Sequence, residues 1–274
     1  MKLITRIENC MQPHSSPHEG VPKSFHTFLN HFEVSSLPEI YWFHRVNKRA
    51  RLKRFLTSDA HIAEGDIMMG PNNISVMRHP FSIVKDHTLP FSEWIDLILE
   101  DEKKGAKLDL KELGAAEHAL EYLKKIVTEK NAHRIFISVD ILKGPFGAKP
   151  AFSPSFLHQI RKEFPQIILS LGHTTKYSKN TQGGYTEKMI EEMHEITHTL
   201  HPPITVALRA ELLLHSKKEA VQKLFNNPET TLTIWSGRDT YVGKRNWPNL
   251  FSKQYGERAF IDLVNQKLDP IHII

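Results

Sequence analysis

Four short segments carry side chains able to do metal and acid–base chemistry: His44-Arg45, Glu64-Gly65-Asp66, His79-Pro80 and Asp109-Leu110-Lys111. In an extended strand, residues two apart point to the same face. Glu64 and Asp66 therefore present two carboxylates on one side, and Asp109 and Lys111 present a carboxylate and an ammonium on one side of another strand. Carboxylates gathered at one point repel one another unless a cation sits among them. A Mg²⁺ or Ca²⁺ ion takes oxygen ligands of this kind and binds substrate phosphate as well. Glu64, Asp66 and Asp109 are thus the candidate ligands for one divalent ion. Lys111 adds a positive charge for a phosphoryl oxygen. His44 and His79 are candidates for base and acid, because imidazole titrates near neutrality. Together these groups describe a site that cleaves phosphodiesters.

The elements that must position them follow from the texture of the chain. Residues 1–39 are rich in His, Pro and Ser and read as an irregular arm with one short helix near 25–32. From residue 40 to 274, short β-branched apolar runs alternate with longer charged stretches of helical pattern. Strands are expected at 40–47, 61–69, 75–79, 105–111, 134–142, 167–172, 204–212, 231–236 and 258–264. Helices are expected at 48–57, 92–104, 112–130, 153–164, 186–200 and 217–226, with Ser153 and Thr186 as N-caps. This alternation means βαβ units and a parallel sheet. Roughly eight such units in roughly 235 residues fit an α/β fold of the (β/α)8 barrel type.

The rival is a doubly wound open sheet, but no GxGxxG or GxxxxGK[ST] follows a strand. Strand polarity also favours the barrel. In 204–212, Thr205, Ala207, Arg209 and Glu211 share one face, opposite Ile204, Val206, Leu208 and Ala210. An open parallel sheet is apolar on both sides, whereas a barrel turns polar residues inward at its C-terminal mouth. By the same parity Arg209 and Trp235 face inward. Trp235 could wall a pocket, and Arg209 could hold a phosphate or pair with Glu211. With Arg45 they are the candidate substrate contacts.

Composition narrows the partners. The net charge of +5 favours an anionic partner: nucleic acid, a membrane surface or a phosphate ester. The basic run Lys48, Arg49, Arg51, Lys53 and Arg54 reads as a solvated helix face, and no nucleic-acid motif accompanies it. A small phosphodiester or a lipid head group is therefore the expected ligand, with peripheral membrane contact allowed and nucleic acid set aside. No apolar run approaches a membrane span, and Arg6 and Glu8 interrupt the N-terminal apolar stretch, so the chain is expected to be soluble and cytoplasmic. The single cysteine, Cys10, can build neither an internal disulfide nor a cysteine zinc site. Among 17 histidines, His194 and His198 lie in an HExxH pattern. An apolar stripe of Met189, Met193, Ile196 and Leu200 on the same helix turns that pair toward solvent.

The chain also resembles the menorin family, a branch of the phospholipase-C-like phosphodiesterase barrels. The resemblance spans about 41 to 241 and rests on Tyr41-Trp42-Phe43-His44-Arg45-Val46-Asn47, Glu64-Gly65-Asp66, Met77-Arg78-His79-Pro80 and Lys107-Leu108-Asp109-Leu110-Lys111. It continues through Val139-Asp140-Ile141-Leu142-Lys143-Gly144-Pro145, Leu169-Ser170-Leu171-Gly172-His173-Thr174-Thr175, Tyr185-Thr186 and Thr233-Ile234-Trp235. It implies acid–base roles for His44 and His79, and Mg²⁺ or Ca²⁺ binding by Glu64, Asp66 and Asp109. Lys111 matches a lysine of the venom-type phospholipases. The implied activity is cleavage of a glycerophosphodiester or phospholipid-like substrate. The alternative is a binding or adhesion module on the same barrel.

Overall fold

The computed structural model describes residues 18–80, 82, 88–177, 183–237 and 246–263. Its strands are β1 (Trp42–Phe43), β2 (Ile62–Met69), β3 (Ser75–Met77), β4 (Gly105–Leu110), β5 (Ile135–Lys143), β6 (Ile168–Thr174), β7 (Ile204–Arg209), β8 (Thr230–Trp235) and β9 (Ala259–Asp262). Eight of them run parallel in the order β1-β2-β4-β5-β6-β7-β8-β9, while β3 folds back antiparallel onto β2. The result is a nearly closed TIM-like (β/α)8 barrel with helices between the strands. Among the described residues no backbone ladder joins β9 to β1. That gap is bridged by side chains, with His44 Nε2 standing 2.7 Å from Asp262 Oδ1.

The helices are α1 (His26–His31), α2 (Arg49–Leu56), α3 (Phe91–Glu100), α4 (Leu113–Ile126), α5 (Pro154–Glu163), α6 (Glu187–Thr199), α7 (Ala210–Leu213), α8 (Lys218–Gln222) and α9 (Trp247–Tyr255). Each longer helix buries one apolar stripe on the barrel wall, as periodicity requires. Phe91, Trp94, Ile95 and Ile98 do so for α3, and Ala115, Ala119, Leu120 and Leu123 for α4. Outward strand residues such as Ile67, Leu108 and Ile137 meet them in one continuous core. Thr186 caps α6, its hydroxyl accepting from Met189 N at 3.3 Å. Ser153 takes the N-cap position of α5, but its hydroxyl bonds Ser155 instead.

Three expected strands are corrected. The run 40–47 pairs only over Trp42–Phe43, because Arg45 takes a left-handed backbone (φ 53°) that turns the chain off the sheet. The run 75–79 is the short hairpin strand β3 and not a barrel stave. The run 204–212 ends at Arg209, where α7 begins, so Glu211 leaves the inward strand face.

The arm has a structural place from residue 18 onward. Phe25, Phe28, Leu29, Phe32, Leu37 and Ile40 form a second core with Trp42, Ile62, Phe136, Ile168 and Phe260, near the N-terminal ends of the strands. Phe28 meets Phe136 and Phe260 edge-on at centroid distances of 5.5 and 5.6 Å, the arrangement that ring quadrupoles favour. The arm thereby floors the barrel. Cys10 and residues 1–17 lie outside the described residues. No helix among the described residues is long and apolar enough to cross a membrane. Since Phe28 is almost wholly buried, Phe28→Ala should cost about 3–5 kcal/mol in a urea unfolding curve. A wild-type midpoint would mean that the arm contributes nothing to the barrel.

Candidate active site

The parallel ladder sets the site. Asp66 on β2 pairs directly with Asp109 on β4, and the ladder continues to Ser138 on β5. Glu64 shares the inward face two residues below Asp66. The left-handed turn after β1 closes against these carboxylates. Arg45 N donates to Glu64 Oε2 at 2.8 Å, and Val46 N donates to Glu64 O at 2.8 Å. Asn47 grips Asp66 twice: its Nδ2 donates to Oδ2 at 2.7 Å, and its Oδ1 accepts from Asp66 N at 2.9 Å. Gly65 lets this approach happen, because a Cβ there would lie 2.4 Å from Met77 Cε and 3.1 Å from Asn47 Oδ1.

Glu64, Asp66 and Asp109 each offer an oxygen, and the three oxygens lie within 4.8 Å of one another. An all-oxygen, three-carboxylate set at this spacing fits a hard divalent cation, whose ligands stand about 2.0–2.6 Å from the ion. Lys111 supplies the resident positive charge, its Nζ 2.5 Å from Asp109 Oδ2 and 3.2 Å from Asp66 Oδ1. Burial alone would drive protons off that ammonium. The charges of Asp109, Asp66 and Asp140 outweigh burial and hold Lys111 above its ordinary value. Asp140, one turn of the ladder farther along β5, is pushed up to about 6 by burial and by the charge of Asp109, against the pull of Lys111 and Lys107. Protein walls surround Asp140 while water reaches it through the mouth. It sits over Gly172, where a Cβ would stand 2.1 Å from Asp140 Oδ1.

His44 closes the other side. Its Nε2 is held at 2.7 Å by Asp262 Oδ1, and its Nδ1 lies 3.8 Å from Glu64 Oε2. The second Asp262 oxygen is 3.3 Å from Lys107 Nζ, which also lies over the Trp42 ring at 5.2 Å. Asp262 is 1% exposed, so this His44–Asp262–Lys107 chain is a buried charge network. Burial alone would lower His44. The Asp262 and Glu64 charges outweigh burial and raise it. Burial would raise Asp262, but the His44 and Lys107 charges hold it below the ordinary carboxylate value.

All nine expected site residues, His44, Arg45, Glu64, Asp66, His79, Asp109, Lys111, Arg209 and Trp235, line one cavity of about 820 Å³ at the C-terminal mouth. Asn47, Lys107, Asp140, Tyr177 and Asp262 line it too. Arg209 Nε binds Glu211 Oε2 at 3.0 Å, the pairing considered from sequence. Lys48 and Arg51 of the basic run also face this cavity, so that run is only partly a solvated face. The HExxH pair stays on α6 as expected, outside the cavity lining. His198 is exposed, His194 is half-buried, and their Nε2 atoms are 3.1 Å apart.

Residues 36–268 match the Menorin N-terminal domain family. The chain belongs to the menorin family. Human Protein FAM151B is 32% identical to it over 208 residues, 73% of this chain and 74% of the human protein. Two solved glycerophosphodiester phosphodiesterases from Parabacteroides distasonis share its fold, with TM-scores of 0.54 and 0.52 at 12% and 14% identity. They cover 83% and 81% of this chain, and 83% and 91% of their own. At such identities the likeness is one of fold, and it confirms the barrel expected from sequence. This menorin-family barrel carries an acidic triad with the chemistry of a metal site at its mouth.

Sequence reasoning missed Asp262 as a site residue, although an inward-parity carboxylate between Phe260 and Leu263 was a usable signal. The raised His44 contributes stability that is complete below the ordinary imidazole value and is lost as pH rises through its folded value. The depressed Asp262 contributes stability that is present above the ordinary carboxylate value and is lost as pH falls. The pair therefore stabilises the fold most between about pH 4 and 6.5. Asp262→Asn should lower His44 in an NMR titration of metal-free protein and cost about 3 kcal/mol or more in that window. The deficit should shrink as pH rises through the His44 transition. An unchanged His44 titration would contradict this coupling.

Proposed function

We propose that the protein is a metal-dependent phosphodiesterase acting on a glycerophosphodiester or phospholipid-like substrate. The observation that carries this reading is the set of three carboxylate oxygens within 4.8 Å of one another, beside His44 in a mouth cavity. Glu64, Asp66 and Asp109 would hold one Mg²⁺ or Ca²⁺ ion. Such an ion, when bound, polarises a phosphoryl oxygen and offsets charge that builds in the transition state. Lys111 offers its ammonium to the same phosphate.

Proton transfer falls to the two histidines. Asp262, against Nε2, raises His44 and so favours its protonated form, which makes its Nδ1–H the proton given to the leaving oxygen. His79, which lines the same cavity, takes the proton of the nucleophile. That nucleophile is water or a hydroxyl of the substrate itself, the latter yielding a cyclic phosphate. Afterwards His44 is neutral and His79 charged, and exchange with solvent restores both. Asp262 is a positioning residue that fixes the ring and its proton.

The test is a phosphodiester panel assayed by ³¹P NMR, with and without chelator. Chelation should abolish turnover, and His44→Ala and His79→Ala should each lower kcat by about 10²–10⁴-fold. Activity that survives both the chelator and the histidine changes would overturn the mechanism. A metal-loaded wild type inert to the whole panel would favour a binding module.

A further inference from the structure

Arg209 ends β7 in an unusually confined setting. Its guanidinium carbon lies 5.2 Å from the ring centroid of Tyr177 and 5.2 Å from that of Trp235. Its Nε donates to Glu211 Oε2 at 3.0 Å, and its backbone N donates to the Tyr185 hydroxyl at 2.8 Å. Glu211 is buried and is not part of the cavity wall, whereas Arg209, Tyr177 and Trp235 are. Among the described residues the Nη groups of Arg209 have no hydrogen-bond or ion-pair partner. The side chain is therefore confined by two aromatic rings and one ion pair, while its Nη donors, on a residue that lines the cavity, have no such partner among the described residues. A planar, permanently charged fork fixed in this way loses little freedom on binding an anion and suits phosphate or carboxylate.

Its position matters as much as its chemistry. In the ring of eight parallel strands, β7 stands four places from β2 and three from β4, which carry the acidic triad. Arg209 thus occupies the opposite wall of the same cavity. Two aromatic rings on a cavity wall would otherwise suit a quaternary ammonium. Here a guanidinium already lies over each of them, so a cationic head group meets a like charge.

We propose that Arg209 is an anion receptor across the cavity from the acidic triad, and that the ligand is a phosphodiester bearing a second anionic group, phosphate or carboxylate. This rests on the reading of the triad as the seat of the scissile phosphate. The second group must be separated from that phosphate by enough bonds to cross the cavity.

Calorimetric titration tests this with probes that a diesterase does not turn over: α,ω-alkanediol bisphosphates of increasing length, the matching monophosphates, and phosphocholine. In wild type with Mg²⁺ or Ca²⁺, one bisphosphate length should bind about tenfold or more tightly than its monophosphate, and phosphocholine should bind no better than ethyl phosphate. Arg209→Gln should abolish the bisphosphate advantage and leave monophosphate affinity in place, while Arg209→Lys should retain part of it. The wild-type ligand series decides the matter even if a variant folds poorly. Equal binding of mono- and bisphosphates, a preference for phosphocholine, or an advantage that survives in folded Arg209→Gln would overturn the proposal. Monophosphate binding indifferent to chelator and to Asp109→Asn would instead contradict the triad reading, and the bisphosphate comparison would still be read separately.

Discussion

The packing of three carboxylates into one small volume is the constraint from which the rest of the mouth follows. At about 4 Å in a medium of effective dielectric near 20, each pair of like charges repels by about 4 kcal/mol. Glu64, Asp66 and Asp109 approach this limit, and the fold answers with donors aimed at each of them. Lys111 spans Asp66 and Asp109, Asn47 holds Asp66, and the Arg45 amide holds Glu64. The last of these requires the left-handed turn at Arg45, which is why β1 is only two residues long. A strained turn and a shortened stave are the structural consequences of bringing these charges together.

Barrel closure and site chemistry share one device. No described ladder joins β9 to β1, and the His44–Asp262 contact bridges that gap. The buried ammonium of Lys107 completes the network from β4. A buried charge network is weak evidence for stability as such, because desolvation offsets much of its attraction. Its value here is specificity: it fixes the ring of His44 and leaves Nδ1 as the nitrogen that faces the triad. The N-terminal floor works alongside it, sealing the other end of the barrel with Phe25, Phe28 and Phe32 so that the mouth is the open end.

Much of this was legible in the sequence, for physical reasons. Strand parity placed Glu64 with Asp66, and Asp109 with Lys111, because a side-chain period of two survives any tertiary context in which the strand forms. The apolar stripe of α6 kept the HExxH histidines out of the cavity for the same kind of reason. Parity failed at Glu211, where the chain passes from strand to helix after Arg209 and the period changes at once. The end of β1 was not legible, because an arginine in a left-handed turn leaves no compositional mark. Asp140 and Asp262 were single carboxylates in apolar strands, so inward parity was their one signal and no spaced partner reinforced it. Their partners come from strands distant in sequence, and the barrel alone brings those together. The arm's short helix was readable, but its place under the barrel was not, because its aromatic residues match the strand ends only in three dimensions.

The central claim is that Glu64, Asp66 and Asp109 form one cation site facing the phosphate. Anomalous diffraction from crystals grown with Mn²⁺, a redox-quiet stand-in for Mg²⁺ or Ca²⁺, tests it most directly. The account predicts one dominant peak with an oxygen of each of the three carboxylates about 2.0–2.6 Å away. A protein that leaves this position empty at saturating Mn²⁺, or binds the ion elsewhere with the triad still held by Lys111, would contradict it.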